Sequence, residues 1–266
     1  MSTPRKKFRY RINWDNVRKD LKEIRWRDPI VMILCALLIF LTVGSTVNAF
    51  SGVNKNAVRI ELDAAYGGDE TGYEGLVKES EVTANIVNEL ESLLKKDKRF
   101  RVYRTTAAGQ TATLAERAAK IKKDNPMIVL SIHAGGSPNV DRSGMHVYAE
   151  TPADKNHTAS LKLANNIADT FKDDTWTAET GYLYYQPVEG SDQYELLFTG
   201  ADDTKDYQLD TFGLMKQCDM PVVVTDQFYV TNEADVQRWA NSDGYYDAAV
   251  KLYQALCDYN GFERKN

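Results

Sequence analysis

The sequence predicts an α/β fold, a mainly parallel sheet with helices on both faces, preceded by one transmembrane helix. Short apolar runs typical of strands alternate along the chain with segments whose apolar residues recur at helical spacing. This alternation is typical of mainly parallel sheets that helices cover on both sides. An uncharged apolar stretch near the N-terminus, long enough to cross a bilayer, indicates the membrane helix.

Residues 29–50 form the predicted transmembrane anchor, because they are predominantly apolar and contain no charged side chain. The preceding residues 1–28 hold ten Lys or Arg and four acidic residues, a net charge of +6. The positive-inside rule therefore predicts a single-pass protein of the cell membrane, with a cytoplasmic N-terminus and an extracytoplasmic C-terminal domain. Val47-Asn48-Ala49 resembles a signal-peptide cleavage site, but the long basic segment favours an uncleaved anchor.

A linker at residues 51–56 leads to the predicted extracytoplasmic domain, residues 57–266. The chain beyond the basic segment holds 23 of the 33 basic and 34 of the 38 acidic residues, a net charge of −11. This charge argues against nucleic acid as a partner, because phosphate binding requires clustered Lys and Arg. Two of the three cysteines, Cys218 and Cys257, lie in the domain, where they either pair or remain free thiols.

Five strands are predicted in the domain, because each is a short apolar or alternating run. They cover residues 57–63, 100–103, 128–134, 145–149 and 221–225. The first strand is followed by the glycine pair Gly67 and Gly68, as expected for a strand that enters a loop. The third is a nearly continuous apolar run, typical of a buried strand, that delivers His133 at its end.

Five helices are predicted from apolar residues at spacings of three and four. They cover residues 79–96, 113–123, 159–171, 232–239 and 245–259. In the first of them Val82, Ile86 and Leu90 share one face. Residues 173–210 show no such period, so we expect them to form an extended surface insertion or lid.

Polar side chains stand where three of the predicted strands end, and α/β proteins form their sites at this edge. They lie in residues 63–66, at His133 and at Asp226, while Glu79 opens the helix after the first strand. A histidine and a glutamate with a second carboxylate across a cleft are the components of a zinc hydrolase. Each residue singly also has an ordinary explanation, Glu79 as a helix-start acid and His133 as a hydrogen-bonded strand-end histidine.

Short blocks of sequence occur in a characteristic order along the domain. They are LDAAYGG at 62–68, GLVKE at 75–79, LAER at 114–117, SIHA at 131–134, PVVVTD at 221–226 and YVTN at 229–232. Over residues 58–259 the chain thereby resembles the zinc-dependent N-acetylmuramoyl-L-alanine amidases of the amidase 3 family. The resemblance implies an amidase 3-like fold, peptidoglycan as partner, and hydrolysis of the amide bond between the muramic lactyl group and L-Ala.

The same resemblance implies a zinc ion held by three side chains. Glu79 and His133 match the second and third ligands of the family, whereas Tyr66 stands where the family has a histidine. Asp226 matches the catalytic glutamate but is one methylene shorter. The implied substrate-binding residues are Gly67, Gly68, Arg117 and Asn232.

Further departures from the family fall in the same cleft, because Phe228 replaces a glycine and Gly135 an asparagine. A phenol is a poor metal ligand unless it ionises, although a bound divalent cation would itself lower the pKa of the phenol. The alternative is a third donor from another residue. The candidates are Asp63, Asp69, Glu81 and His146. His157, which opens a helix, is expected to be an ordinary surface residue.

Two hypotheses of different classes follow. In the first, the protein is a membrane-anchored bacterial amidase with zinc binding and activity weakened by Tyr66 and Asp226. In the second, it is an inactive relative that binds peptidoglycan, or a cell-wall, division or sporulation protein, through the inherited cleft. Aromatic rings at Tyr66, Phe228 and residues 182–185 suit sugar or peptide faces, unless they only pack the insertion.

Overall fold

The computed structural model describes residues 56–188, 194–204 and 212–264, together with Lys19, Ile33, Ala36, Leu37, Asn54, Gly190 and Tyr207. From Asn54 onward the chain forms one compact unit. The predicted anchor at residues 29–50 and the basic segment before it fall, apart from four single positions, outside the described residues. Within the part of the chain that the structure describes, no helix is long and apolar enough to span a membrane.

The described residues from Asn54 onward contain seven strands and six helices. The strands are β1 (Val58–Ala64), β2 (Phe100–Arg104), β3 (Ile128–Gly135), β4 (Met145–Tyr148), β5 (Ala178–Pro187), β6 (Tyr194–Gly200) and β7 (Val222–Tyr229). The helices are α1 (Glu79–Lys96), α2 (Leu114–Asp124), α3 (His157–Phe171), α4 (Gly213–Gln217), α5 (Glu233–Trp239) and α6 (Ser242–Tyr259). All ten predicted strands and helices are present, with their ends shifted by a few residues.

The strands form one mixed sheet in the order β2-β1-β3-β7-β4-β5-β6. Four of its six pairings are parallel, including all three in the run β2-β1-β3-β7, which confirms a mainly parallel sheet. The β7–β4 and β5–β6 pairs are antiparallel. Because β1, β3 and β7 are parallel neighbours, their carboxyl ends lie together at one edge of the sheet.

Helices cover both faces of the sheet, and the alternation along β1 shows how the faces differ. Ile60 and Leu62 point into the large apolar core under α1, α3 and α6. The intervening side chains of a strand point to the opposite face, which α2 and α4 cover with a smaller cluster that includes Ile121 and Leu214. Along β3 and β7, successive side chains also alternate between the two cores. His133 and Asp226 lie near the ends of these strands, so the site lies at the edge of a sheet that is packed on both faces.

The structure contradicts the prediction of a surface insertion at residues 173–210. Seventeen of its 38 residues form the antiparallel pair β5 and β6, which extends the sheet. Tyr182 is fully buried and Tyr184 packs against the same core. β5 was not predicted, because its inward-facing side chains are tyrosines rather than aliphatic residues, so the alternation of apolar and polar residues was not apparent.

The two cysteines of the domain are both buried and unpaired. Cys218 lies in the small core beside α2, whereas Cys257 lies in the large core within α6. The sheet separates these two cores, so the two thiols cannot form a disulfide. Of the two alternatives that the sequence left open, free thiols are therefore confirmed.

Candidate active site

The topology brings the polar strand ends together. His133 of β3 and Asp226 of β7 are register partners in adjacent parallel strands, and a β-bulge follows between His133 and Gly135. On the other side of β3, Ala64 at the end of β1 is paired with Ile132. The chain after β1 passes through the loop that carries Tyr66 and returns as α1, whose first residue is Glu79.

Glu79 and His133 form a close polar pair. Their Oε1 and Nδ1 atoms are 3.2 Å apart. The Glu79 carboxylate also accepts backbone hydrogen bonds from Ala134 N (3.2 Å, to Oε1) and Tyr73 N (2.9 Å, to Oε2). Burial lowers the pKa of His133, but the hydrogen bond and charge of Glu79, with smaller contributions from other carboxylates, outweigh it and raise that pKa. His133 and two backbone N–H groups therefore hold the Glu79 carboxylate in place.

Tyr66 completes this group as an aromatic neighbour. Its ring lies edge-on to the His133 ring, with 5.8 Å between centroids. A Cβ atom on Gly72 would lie 2.6 Å from both Tyr66 Cδ2 and Glu79 Oε2, so only glycine fits beside them, at a φ of +66°. Burial, followed by the charges of Glu79 and Asp226, raises the pKa of Tyr66. The phenol consequently stays protonated next to these carboxylates.

The residues present do not fit a zinc ion held as in a catalytic site, which takes three protein ligands. Glu79 and His133 are two donors, and the neutral phenol of Tyr66 is a poor third one. Within residues 56–188, 194–204 and 212–264, no three His, Cys, Asp or Glu side chains come together in a group that could hold a metal.

The alternative third donors predicted from the sequence are engaged or exposed elsewhere. Asp63 is fully buried, and its carboxylate accepts from Thr105 Oγ1 (2.6 Å), Ser131 Oγ (2.7 Å) and Arg117 Nη1 (2.7 Å). Asp69 and Glu81 are exposed. His146 is buried on β4, with Nδ1 3.3 Å from Tyr229 Oη.

Asp226, at the position expected for the catalytic carboxylate, is half-buried and hydrogen-bonded. Tyr148 Oη donates to its Oδ2 at 2.6 Å. Burial raises the pKa of Asp226, although the charge of His133 and the Tyr148 hydrogen bond oppose this effect. The cleft thus contains a carboxylate near His133 whose orientation is set by a tyrosine of the antiparallel strand β4.

The family model of N-acetylmuramoyl-L-alanine amidases, Amidase_3, matches residues 60–258. This chain belongs to the amidase 3 family. The match extends from β1 into the last turn of α6 and includes each of the site residues described above.

Curated relatives carry amidase names and differ in length. The chain is 32% identical over 229 residues to the probable N-acetylmuramoyl-L-alanine amidase AmiB of Haemophilus influenzae, covering 76% of this chain and 52% of AmiB. It is 33% identical over 107 residues to AmiC of Escherichia coli, covering 40% of this chain and 26% of AmiC. The putative amidase of Buchnera aphidicola is 23% identical over 225 residues, covering 76% of this chain and 94% of that protein. The chain therefore spans about half of AmiB and a quarter of AmiC.

Solved structures of amidases share the fold. The catalytic domain of CwlV from Paenibacillus polymyxa superposes with a TM-score of 0.59 at 17% identity, covering 77% of this chain and 99% of that one. An amidase of Clostridium difficile 630 gives a TM-score of 0.61 at 17% identity, covering 78% and 98%. CwlD of Clostridioides difficile, solved in complex with the GerS lipoprotein, gives 0.54 at 15% identity, covering 77% and 98%. At these identities the likeness concerns the fold alone.

The four predicted substrate-binding positions of this amidase 3 domain differ in what surrounds them. A Cβ atom on Gly67 would lie 2.3 Å from Gln110 O, and Gly68 has a φ of +57°, so both glycines are required by the backbone. Arg117 pairs with Asp63 and lines a cavity of about 160 Å³ together with His133. Asn232 accepts from Asp235 N (3.0 Å) at the start of α5 and donates to Val140 O (2.8 Å).

Of the rings that the sequence suggested for the cleft, Tyr66 adjoins His133, but Phe228 does not line it, and for Tyr182 the alternative of packing holds. Phe228 is buried in the core under α1 and α6, and Tyr182 is buried with it. The rings that do adjoin His133 and Asp226, besides Tyr66, belong to other residues. Phe212 lies edge-on to His133, and Tyr148 hydrogen-bonds Asp226. The rings of His146, Phe198 and Tyr229 extend this aromatic group. Alternation along β4 could have indicated His146 and Tyr148, but the contacts of Phe198 and Phe212 had no local signal.

His157 is not the plain surface residue that its place at a helix start indicated. Its side chain is 13% exposed. The Nδ1 atom lies 2.8 Å from Glu150 O, and Nε2 lies 3.2 Å from Asp203 Oδ2. This histidine therefore fastens the start of α3 to the segment that follows β6, outside the cleft.

Proposed function

We propose that this protein is a peptidoglycan-binding member of the amidase 3 family in which hydrolysis of the muramic lactyl to L-Ala bond is weakened or lost. One observation carries the proposal. Tyr66, a protonated phenol, lies where a third zinc ligand is expected, against an otherwise intact Glu79–His133 pair. Because zinc in a catalytic site needs three protein ligands and these residues supply two, the cleft is better suited to binding than to hydrolysis.

Peptidoglycan is the ligand that family membership favours, since the curated relatives are named as N-acetylmuramoyl-L-alanine amidases. The cleft keeps a cavity of about 160 Å³ beside His133, lined in part by Arg117 and Phe212. Phe212 lies edge-on to His133 with 6.1 Å between centroids, so an aromatic face adjoins this cavity. Aromatic faces with a few fixed polar groups suit sugar rings and peptide planes.

Residual amide hydrolysis is the second candidate function, and two observations favour it. Glu79 Oε1 and His133 Nδ1 are 3.2 Å apart, so a single bound ligand can contact both side chains. Asp226 still places a carboxylate next to His133 through the β3–β7 register. It is one methylene shorter than the glutamate of the family, and a misplacement of about 1 Å can lower a rate on the order of 100-fold.

Metal content and amide release decide between binding and hydrolysis. The full-length chain, incubated with zinc and desalted, should retain far less than one equivalent, sediment with purified peptidoglycan, and release no new L-Ala amino termini from it. Glu79→Ala serves as the matched control, and it should behave like the wild-type chain in the metal assay. Stoichiometric zinc that disappears in Glu79→Ala, together with turnover, would establish the amidase instead.

A variant that restores the residues expected in the family provides a second test of zinc binding. Tyr66→His combined with Asp226→Glu should bind stoichiometric zinc, because an imidazole supplies the third ligand at neutral pH. Tyr66→Phe combined with Asp226→Glu is the control and should stay metal-free. A zinc-free repaired variant would show that Tyr66 is not the missing ligand position.

We also propose that the domain is held at the outer face of a bacterial cell membrane by residues 29–50, with the N-terminus in the cytoplasm. The uncharged stretch and the net charge of +6 before it support this arrangement. A protein partner is a further part of the proposal. The CwlD amidase, whose fold this domain shares, was solved in complex with a lipoprotein.

A further inference from the structure

An arginine stands next to the cleft without a carboxylate partner. Arg142 lies in the loop between β3 and β4, its side chain is exposed, and its guanidinium is 5.5 Å from the centroid of the Tyr229 ring. Among the described residues, no Asp or Glu oxygen forms an ion pair with it. The guanidinium therefore has hydrogen-bond donors to offer to a ligand.

The loop that carries Arg142 is fastened to the sheet on both sides of that residue. The buried carboxylate of Asp235 accepts from Ser143 Oγ (2.6 Å), Gly144 N (3.2 Å) and Tyr229 N (2.9 Å). On the other side, Asn232 Nδ2 donates to Val140 O at 2.8 Å. A loop that is already held in place loses less conformational entropy when its side chain binds a ligand, which favours specific binding by Arg142.

Arg142 is linked to Asp226 through two aromatic residues. The ring beneath it, Tyr229, places its hydroxyl 3.3 Å from His146 Nδ1. His146 is the register partner of Asp226 across the antiparallel β4–β7 pair. The charge of Arg142 also acts on Asp226, where it opposes the burial that raises the pKa of that carboxyl. Arg142 thus lies on the β4 side of the cleft, within electrostatic reach of its carboxylate.

The charges around the cleft make this arginine distinctive. Arg117, the cation on the other side, is neutralised by Asp63 at 2.7 Å. Glu79 and Asp226 contribute negative charge, and Glu179 lies 4.0 Å from the opposite nitrogen of His146. In a domain with a net charge of −11, an anionic group would be repelled from most of this surface. Arg142 is a cation here that remains available to such a group.

We propose that Arg142 binds a carboxylate of the wall peptide, so that the domain recognises the acidic stem peptide of peptidoglycan and not the glycan alone. The inference rests on the proposed peptidoglycan-binding function and specifies its ligand. A guanidinium presents two parallel N–H donors that match a carboxylate, and a lysine ammonium cannot reproduce this geometry.

Paired ligands test the proposal on the full-length chain in detergent. The probes are N-acetylmuramoyl-L-Ala-D-Glu and its diamide, titrated by calorimetry. The wild-type chain should bind the diacid about tenfold more tightly than the diamide, as expected for one charge-assisted contact. Arg142→Ala should lower affinity for the diacid to that for the diamide and leave the diamide unchanged, while Arg142→Lys should retain part of the preference.

Arg101→Ala is the matched control, because Arg101 also lies over a tyrosine ring, 5.2 Å from the Tyr103 centroid, but on the edge strand β2. It should keep the full preference. Equal binding of the two ligands by the wild-type chain, or a preference that survives in Arg142→Ala, would overturn the role of Arg142 while leaving wall binding intact. Failure of the wild-type chain to bind either ligand or whole peptidoglycan would refute the proposed function as well.

Discussion

Glu61 is a buried carboxyl group close to the cleft that has no part in it. Its side chain is fully buried on β1, next to Asp63 along the strand. Burial, then the charge of Asp124, raises its pKa to about 8, although Lys120 opposes the shift. The group is therefore largely protonated near neutral pH, and its ionisation at higher pH opposes the folded state.

This shift predicts a pH-dependent stability difference. The folded state holds the Glu61 proton more tightly than the unfolded chain, so its contribution is complete below the ordinary pKa of 4.5 and is lost as pH rises through about 8. The variant Glu61→Gln cannot ionise. Its free energy of unfolding relative to the wild type should rise by up to about 1.4 kcal/mol per pH unit within that window.

Urea denaturation between about pH 4 and pH 9 measures this difference. Glu89→Gln, which alters an exposed carboxylate on α1, is the control and should run parallel to the wild type. A constant offset between Glu61→Gln and the wild type across the range would show that Glu61 has no raised pKa.

At the scale of elements, the short helix α5 organises the rim of the cleft. Its residue Asp235 is 1% exposed and joins the β3–β4 loop to the end of β7 through three hydrogen bonds. Burial raises the pKa of Asp235, while the donors from Ser143, Tyr229 and Gly144 oppose the rise. The Asp235 carboxylate thus accepts a hydrogen bond from each of three donors.

Asp235→Asn should destabilise the protein, because the amide has one acceptor oxygen and places its own N–H donors against existing donors. Leaving buried donors unpaired costs roughly 1–3 kcal/mol, so the free energy of unfolding in urea should fall by about 2 kcal/mol. Asp247→Asn, at an exposed position of α6, should change it by no more than about 0.5 kcal/mol. Equal effects of the two variants would mean that the Asp235 contacts contribute little to stability.

The elements also show where prediction from the sequence succeeds. α1 was predicted from apolar residues at helical spacing, and β3 from a nearly continuous apolar run. These residues pack in the cores on the two faces of the sheet. β5 was missed because tyrosines replace aliphatic residues on the inward face. The five-residue helix α4 is too short to show a period at all.

The whole molecule is expected to consist of two functional parts. The compact unit begins at Asn54, close to the end of the predicted linker. Its two cores lie within the chain from β1 to α6. Residues 54–266 should therefore fold without the anchor, whereas attachment to the membrane should depend on residues 29–50.

Fractionation of bacterial cells tests this division. The full-length chain should sediment with membranes, resist extraction by high salt, and be degraded by protease added to spheroplasts, because the proposed topology puts its C-terminal domain outside. A version that begins at residue 54 and is produced without a signal should stay in the soluble fraction. Its thermal midpoint should match that of the full-length chain in detergent. Release of the full-length chain by salt alone would refute the anchor.

The sequence by itself determined the order of most elements, the family, and the positions of Tyr66, Glu79, His133 and Asp226. Periodicity and short motifs are properties of neighbouring residues, so they can be recognised without a structure. The replacement of the family's histidine by Tyr66 was also recognised from the sequence, because Tyr66 directly precedes the glycine pair.

Only the tertiary structure decided which side chains meet at the cleft. The antiparallel placement of β4 beside β7 brings Tyr148 onto Asp226 and His146 toward Tyr229. Phe228 of β7 lies in the core. It also presents Arg142 over Tyr229. These contacts join residues about 80 positions apart, and they depend on strand order and register, which local sequence patterns do not encode.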